Sequence, residues 1–424
     1  MEKRNFSSQL DEEYFETVCE NGLKIIVFKK PQFNASYAVI ATRYGSVNTG
    51  FTENGVHYDI PDGTAHFLEH KLFEGEKAPA FERFAKTGAS ANAYTTFDKT
   101  AYLFSASENF YESLEILLDF VSHPYLTEEN VKKEQGIIGQ EIEMYDDDPN
   151  WQTFFRAIDG AYTTHPIKKD IAGTRETISV LTPELLYKIY HHFYCSNNMT
   201  LCVAGNVSPE KVVETANKSF ALKPNDNICP DEIIENKGVS AKRSYKKLAV
   251  SKPLFGIAVK TELEKVALSD RRKNEVAVSI ALELIAGGIS NFYNKLYSEN
   301  ALSDFGYEYM TSNGYAVVNL TGVSDDPERI YSEFFKSVKK LTDGKTDEND
   351  FETVKKNVYG KYLAAFDSIE DVANMALSAD FSGSNVFEPA EIIKSITLSE
   401  VIDAAKLAFC EDNASMAVIM PQDE

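Results

Sequence analysis

Short apolar runs with turn residues at their ends dominate the first two hundred positions. Gly22-Leu23-Lys24-Ile25-Ile26-Val27-Phe28-Lys29-Lys30 and Tyr37 to Tyr44 are β-branched or aromatic and bounded by Gly, Pro or Asn, which predicts two strands. A polar loop from Gly45 leads to Gly63. Ala80 to Thr87 predicts a short helix, and Asn92 to Phe104 two strand-like runs around a turn. Phe110, Leu114, Leu117, Leu118 and Val121 recur at helical spacing, so Asn109 to Ser122 predicts an amphipathic helix. Thr127 can cap a further helix whose first turn is acidic, as the helix dipole prefers. Trp151 to Ser179 reads as turn-rich, Pro183 to Phe193 and Pro209 to Phe220 as helices, and Met199 to Asn206 as a buried strand.

The same order recurs later. A strand at Leu254 to Lys260 precedes a long helix, Arg271 to Ala286. A hairpin around Asn313-Gly314 joins Tyr307–Ser312 to Tyr315–Thr321, and Pro327 to Leu341 is amphipathic. Asn413 to Pro421 echoes Asn198 to Gly205. Between the halves the chain turns polar. The order predicts an α+β fold of two similar domains, each a mostly antiparallel sheet packed with helices: residues 1–222, a linker at 223–246, and residues 247–424.

Composition narrows the function. The chain has 424 residues, 43% hydrophobic and 25% charged, an ordinary globular balance. A net charge of −22 argues against nucleic acid or an anionic membrane as partner. No run approaches eighteen consecutive apolar residues, which argues against a bilayer span. Met1-Glu2-Lys3-Arg4-Asn5-Phe6-Ser7 lacks the apolar region of a signal peptide. Five scattered cysteines without a Cys-x-x-Cys suit reduced thiols, so the expected location is cytoplasmic.

The chemistry centres on Gly63-Thr64-Ala65-His66-Phe67-Leu68-Glu69-His70-Lys71. On a helix His66 and His70 leave one face, and two imidazoles there can hold one zinc ion. Glu69 reaches the open side of such a metal without ligating it. A His-x-x-x-His pair often arises by chance, but only seven histidines are present and two fall here at metal spacing. His-x-x-Glu-His reverses the commoner His-Glu-x-x-His and is the inverzincin pattern. Farther on, Val131, Glu134, Ile138, Glu141 and Ile142 share a helix face. Carboxylates on an apolar face are costly unless paired or bound to metal, so Glu134 and Glu141 are candidates for a ligand and its neighbour; the plainer alternative is a solvated helix edge.

His66-Phe67-Leu68-Glu69-His70 followed by Leu72-Phe73-Glu74-Gly75 resembles the zinc peptidases of the pitrilysin/insulinase family, most closely the small two-domain bacterial members similar to the mitochondrial processing peptidase. Asn92-Ala93-Tyr94-Thr95 with Lys99-Thr100-Ala101-Tyr102, the Glu134/Glu141 pair, and Asn197-Asn198-Met199-Thr200-Leu201 with Gly205-Asn206 extend the resemblance. It implies one zinc ion per chain held by His66, His70 and Glu141, with Glu143 as the alternative ligand. It also implies Glu69 as general base, Glu134 orienting a ligand, and a peptide added as a strand along Asn92 and Ala93. Each two-domain chain would form half of a clam-shell. In the second domain the family's Arg/Tyr element corresponds to Lys295 to Tyr307. Tyr297 stands where Arg is expected, and Tyr307 is the candidate tyrosine.

The function expected is therefore a zinc-dependent endopeptidase of peptides or unfolded segments, either as a homodimer or with a second subunit supplying the Arg/Tyr pair. The alternative is a non-catalytic or partner-dependent subunit of a heterodimeric peptidase. A nucleophilic hydrolase is disfavoured, because no Gly-x-Ser-x-Gly elbow is evident.

Overall fold

The computed structural model describes residues 3–312 and 314–422. Met1, Glu2 and Asn313, which enter the readings above, lie outside them. Strands β1 (Lys3–Ser7), β2 (Glu12–Val18), β3 (Lys24–Lys29), β4 (Ser36–Thr42), β5 (Gly50–Glu53), β6 (Val56–Asp59), β7 (Ser90–Thr95), β8 (Thr100–Ala106) and β9 (Met199–Gly205) are followed by β10 (Arg243–Leu248), β11 (Leu254–Lys260), β12 (Ser303–Ser312), β13 (Tyr315–Val323) and β14 (Ala414–Pro421). The first large sheet has the order β1-β2-β3-β9-β4-β8-β7, and the second β10-β14-β11-β13-β12.

Five consecutive strands of the first sheet, β3-β9-β4-β8-β7, repeat in the second as β10-β14-β11-β13-β12. β3 lies parallel to β9 as β10 lies parallel to β14, and the other pairs in both series are antiparallel. The expected echo between residues 198–205 and 413–421 is thus a shared place in two sheets. β9 is buried throughout and β4 likewise, as strands covered on both faces must be.

The chain falls into two compact units, crossing from one to the other between Glu232 and Ile233, inside the stretch 223–246, but with further segments exchanged between the halves. One gathers the chain up to Ile142, Asp170–Glu232 and Leu363–Phe387; the other gathers Glu143–Lys169, Ile233–Tyr362 and the chain from Glu388. Each half of the sequence lends a helix to the other half's sheet. Helix Pro149–Ala161 packs on β11 and β14, so closely that a Cβ on Gly160 would meet Ser415 Oγ at 2.0 Å. Helix Ile369–Phe381 packs on β4 and β9. Asp380 fastens that helix through Lys24 at 2.6 Å, Arg43 at 2.8 Å and Thr200 at 2.7 Å. Asn374 bridges the hydroxyls of Tyr94, on β7, and Tyr37, on β4.

One local expectation needs correction. The passage from Trp151 is helical up to Ala161, because Asp148 caps the amides of Asn150 and Trp151 and Pro149 fills the first turn. The stretch 223–246, which carries the chain from one unit to the other, is held by hydrogen bonds. The amide of Asp231 donates to Gly50 O, and that of Thr52 to Cys229 O. Glu235 pairs with Lys260 at 2.6 Å and accepts from the amides of Thr163, Thr164 and His165, and β10 begins at Arg243.

One stretch, Leu268–Ser298, is long and apolar enough to pass for a membrane span, yet 61% of its most apolar window is buried. Its helix Arg271–Ala286 carries Val278, Ile280, Ala281 and Ile285 into the second unit's core, as a core helix does.

Candidate metal centre

The helix Thr64–Leu72 begins at Gly63, whose φ of +89° suits glycine. A Cβ there would sit 2.4 Å from Ala172 O. Phe67, Leu68 and Leu72 are fully buried and anchor one face to the core beneath β7 and β8. His66, Glu69 and His70 then share the opposite face, at spacings of three and four residues. The second element is helix Glu128–Asp147. Val131 and Ile138 are buried, and Glu134 and Glu141 project from the same side two turns apart.

The two helices bring three donors together. His66 Nε2 lies 3.8 Å from Glu141 Oε1, and His70 Nε2 lies 3.7 Å from Glu141 Oε2. One ligand atom from each residue lies within 4.8 Å of the others. Tetrahedral zinc with bonds of about 2.0–2.2 Å sets its ligands roughly 3.3–3.5 Å apart, so small side-chain movements close the set. Glu143 is exposed and stands outside this group.

Electrostatics fits a cation here. Glu69, Glu134 and Glu141 surround two imidazoles. Burial and the neighbouring His70 hold His66 down to about 4, so at neutral pH its ring is uncharged, the form that can ligate a metal. Its Nδ1 is buried without a hydrogen-bond partner among the described residues. Burial would lower His70 too, but the hydrogen bond to Glu134 and the charges of Glu69, Glu134 and Glu141 outweigh it, and His70 is raised. Burial would raise Glu134, but His70 and Lys71 hold it below the usual carboxylate range. Burial raises Glu69 despite the hydrogen bond from Thr95.

The supports are specific. His70 Nδ1 lies 3.1 Å from Glu134 Oε1, which leaves Nε2 facing Glu141. Lys71, fully buried, sits 3.5 Å from Glu134 Oε2 and 2.8 Å from Glu74, and donates to Asn130 O. The Thr95 hydroxyl donates to Glu69 Oε2 at 2.8 Å. Sequence reasoning assigned no role to Lys71 or Thr95. The signal for Lys71 was a lysine inside an otherwise apolar-backed helix; for Thr95 it was strand alternation, which sets it on the face of Ala91 and Ala93.

Asn92 and Ala93 lie on β7, the last strand of its sheet, which pairs with β8 on one side. Asn92 is exposed and its Oδ1 accepts from the Ala93 amide at 2.9 Å. Tyr297 and Tyr307 belong to the second unit. Tyr297 is exposed on helix Asn291–Ser298 and stacks on Tyr293, with centroids 5.5 Å apart. Tyr307 is half-buried on the edge strand β12, beside Phe305.

Comparison with known proteins places the chain. Residues 51–175 match the model of the insulinase family (peptidase family M16), and residues 181–358 match the M16 inactive domain. An uncharacterized zinc protease of Bacillus subtilis, YmfH, is 35% identical across 98% of both chains. The probable mitochondrial-processing peptidase subunit beta of Schizosaccharomyces pombe is 32% identical over 49% of this chain and 45% of its own. The crystal structure of a putative M16-like peptidase from Alicyclobacillus acidocaldarius superposes with a TM-score of 0.91 at 30% identity, covering 98% of this chain and 100% of that one. The chain belongs to the insulinase family of peptidases, a family of zinc proteases, and resembles its small bacterial members.

Proposed function

We propose that this chain is a zinc-dependent endopeptidase that hydrolyses peptides or unfolded segments. The observation that carries the reading is the convergence of His66 Nε2, His70 Nε2 and the Glu141 carboxylate beside the Glu69 carboxylate, on one helix pair. Three protein ligands and an open fourth position mark catalytic rather than closed structural zinc sites. Two imidazoles and one carboxylate suit zinc, and we take the stoichiometry as one ion per chain.

Zinc in this site would supply an activated water and polarise a peptide carbonyl. Glu69 would accept a proton from that water and return it to the leaving amine, as general base and then general acid. Glu134 holds His70 in the tautomer that presents Nε2. The edge of β7 at Asn92 and Ala93, open among the described strands, offers main-chain groups to an extended peptide, which supplies affinity with loose side-chain preference. We read the location as cytoplasmic, from the scattered cysteines alone.

A partner-dependent form is the second reading. It is favoured by Tyr297 standing where an arginine is expected, by the inactive-domain match, and by a relative named as a subunit. In that form another chain, or a second copy of this one, supplies the Arg/Tyr pair. Mass spectrometry of an unstructured peptide, incubated with chelator-stripped and zinc-restored protein, tests the first reading. New termini that appear with zinc and vanish with chelator support it; an intact peptide with stoichiometric zinc bound counts against it. Full-rate cleavage by the isolated monomer would remove the second.

A further inference from the structure

We infer that Thr95 is the positioning residue of Glu69, an inference that rests on the peptidase reading of the site. The Thr95 hydroxyl donates to Glu69 Oε2 at 2.8 Å. Among the described residues no other protein donor reaches Glu69. One carboxylate oxygen is therefore tied and the other, Oε1, is left for proton work.

The tie is well built. The terminal torsion of a glutamate is broad and roughly two-fold, so an untethered carboxylate swings and exchanges its oxygens. Threonine is stiff at χ1, so its hydroxyl is aimed by the backbone that carries it. That backbone is fixed. Thr95 is the last residue of β7 and pairs with Thr100 of β8. The turn beyond closes through the Thr96 amide to Lys99 O at 2.8 Å and through Thr96 Oγ1 to Asp98 Oδ1 at 2.9 Å. Amides of Ser46 and Val47 donate to the carbonyls of Thr96 and Phe97. On the other face of the strand the Tyr94 hydroxyl donates to Asn374 at 3.0 Å.

The location adds a consequence. β7 ends its sheet, with its outer edge open among the described strands. The strand that offers this edge to a peptide also aims the base, two residues beyond Ala93. Docking and proton transfer thereby share one rigid element rather than two that must be brought into register.

The test uses zinc-loaded protein with Thr95→Val, which keeps the shape and removes the donor, and Thr95→Ser, which keeps the donor. Removing one hydrogen bond to a charged group corresponds to a loss on the order of 10–100-fold in kcat. Thr95→Val is expected to show that loss with KM and zinc content unchanged, and Thr95→Ser to recover most of it. On a Glu69→Gln background, Thr95→Val should cost nothing further. Crystal structures of the zinc-loaded proteins should show Glu69 in one conformation in the parent and in more than one in Thr95→Val. A single unchanged Glu69 conformation in Thr95→Val, or an equal loss on the Glu69→Gln background, overturns the inference. If the parent binds zinc and cleaves nothing, the peptidase reading fails, and the crystallographic comparison still decides the positioning.

Discussion

Glu134 Oε1 lies 3.1 Å from Nδ1 of His70, so one ring nitrogen is spent on a carboxylate and the other is turned toward Glu141. Glu134 also answers the buried charge of Lys71. Such an outer partner typically contributes 10–100-fold in metal affinity. Glu134→Gln should weaken zinc binding by about that factor, because the amide can still accept from His70 while the charge is gone. Chelator competition measures it, and unchanged affinity would show that Glu134 does not tune the site.

Glu141 and Glu143 make a paired test of the ligand set. Glu141→Gln should lose zinc in a stoichiometric metal assay, whereas Glu143→Gln should keep it, since Glu143 is exposed and outside the convergent group. The reverse result would reassign the third ligand.

Gly63 sets the start of the histidine helix from left-handed backbone, and a Cβ there would clash with Ala172 O at 2.4 Å. Gly63→Ala should destabilise the protein by about 2 kcal/mol or more, combining backbone strain with the displaced contact. A urea melt reads the change. A variant as stable as the parent would mean that the helix start is not constrained there.

His165 gives a stability prediction with a definite sign. Its Nδ1 accepts from the Ile167 amide at 3.0 Å, so a proton added there would face a donor. Burial pushes His165 down to about 4, against about 6.5 in an unfolded chain. The unfolded state therefore binds more protons between these values, and the His165 contribution is full above pH 6.5 and is lost as pH falls toward 4. Glu235, held down to about 2 by Lys260 and three backbone amides against its burial, adds a further loss below the ordinary carboxylate range. His165→Asn keeps an acceptor for Ile167 without titrating. It should flatten the fall in melting temperature between pH 6.5 and 4 relative to the parent; an identical slope would contradict the assignment.

How much of this was legible in the sequence depends on range. The short helix at Ala80–Thr87 and strand β11 are set by local pattern and were readable at both ends, and the histidine helix was readable from its motif and from the loop that ends at Gly63. The hairpin β5–β6 was missed although Asn54-Gly55, both with positive φ, is a strong turn signal; its strands are four residues each, too short to show alternation. The exchange of helices Pro149–Ala161 and Ile369–Phe381 could not be read, because amphipathic periodicity says that a helix covers a face and not whose face it covers. Within the site, His66, Glu69 and His70 are fixed by one helix, and Glu134 with Glu141 by another. That the two helices meet, that Lys71 lies under Glu134, and that Thr95 reaches Glu69 across 26 residues are facts of packing.

Cleavage of a quenched fluorescent peptide by metal-analysed protein, with Glu69→Gln beside the parent, tests the central claim most directly. The account predicts about one zinc per chain in both proteins and turnover that falls by roughly 10²–10⁴-fold in the variant. Equal rates in the two, or turnover that survives removal of the zinc, would contradict it.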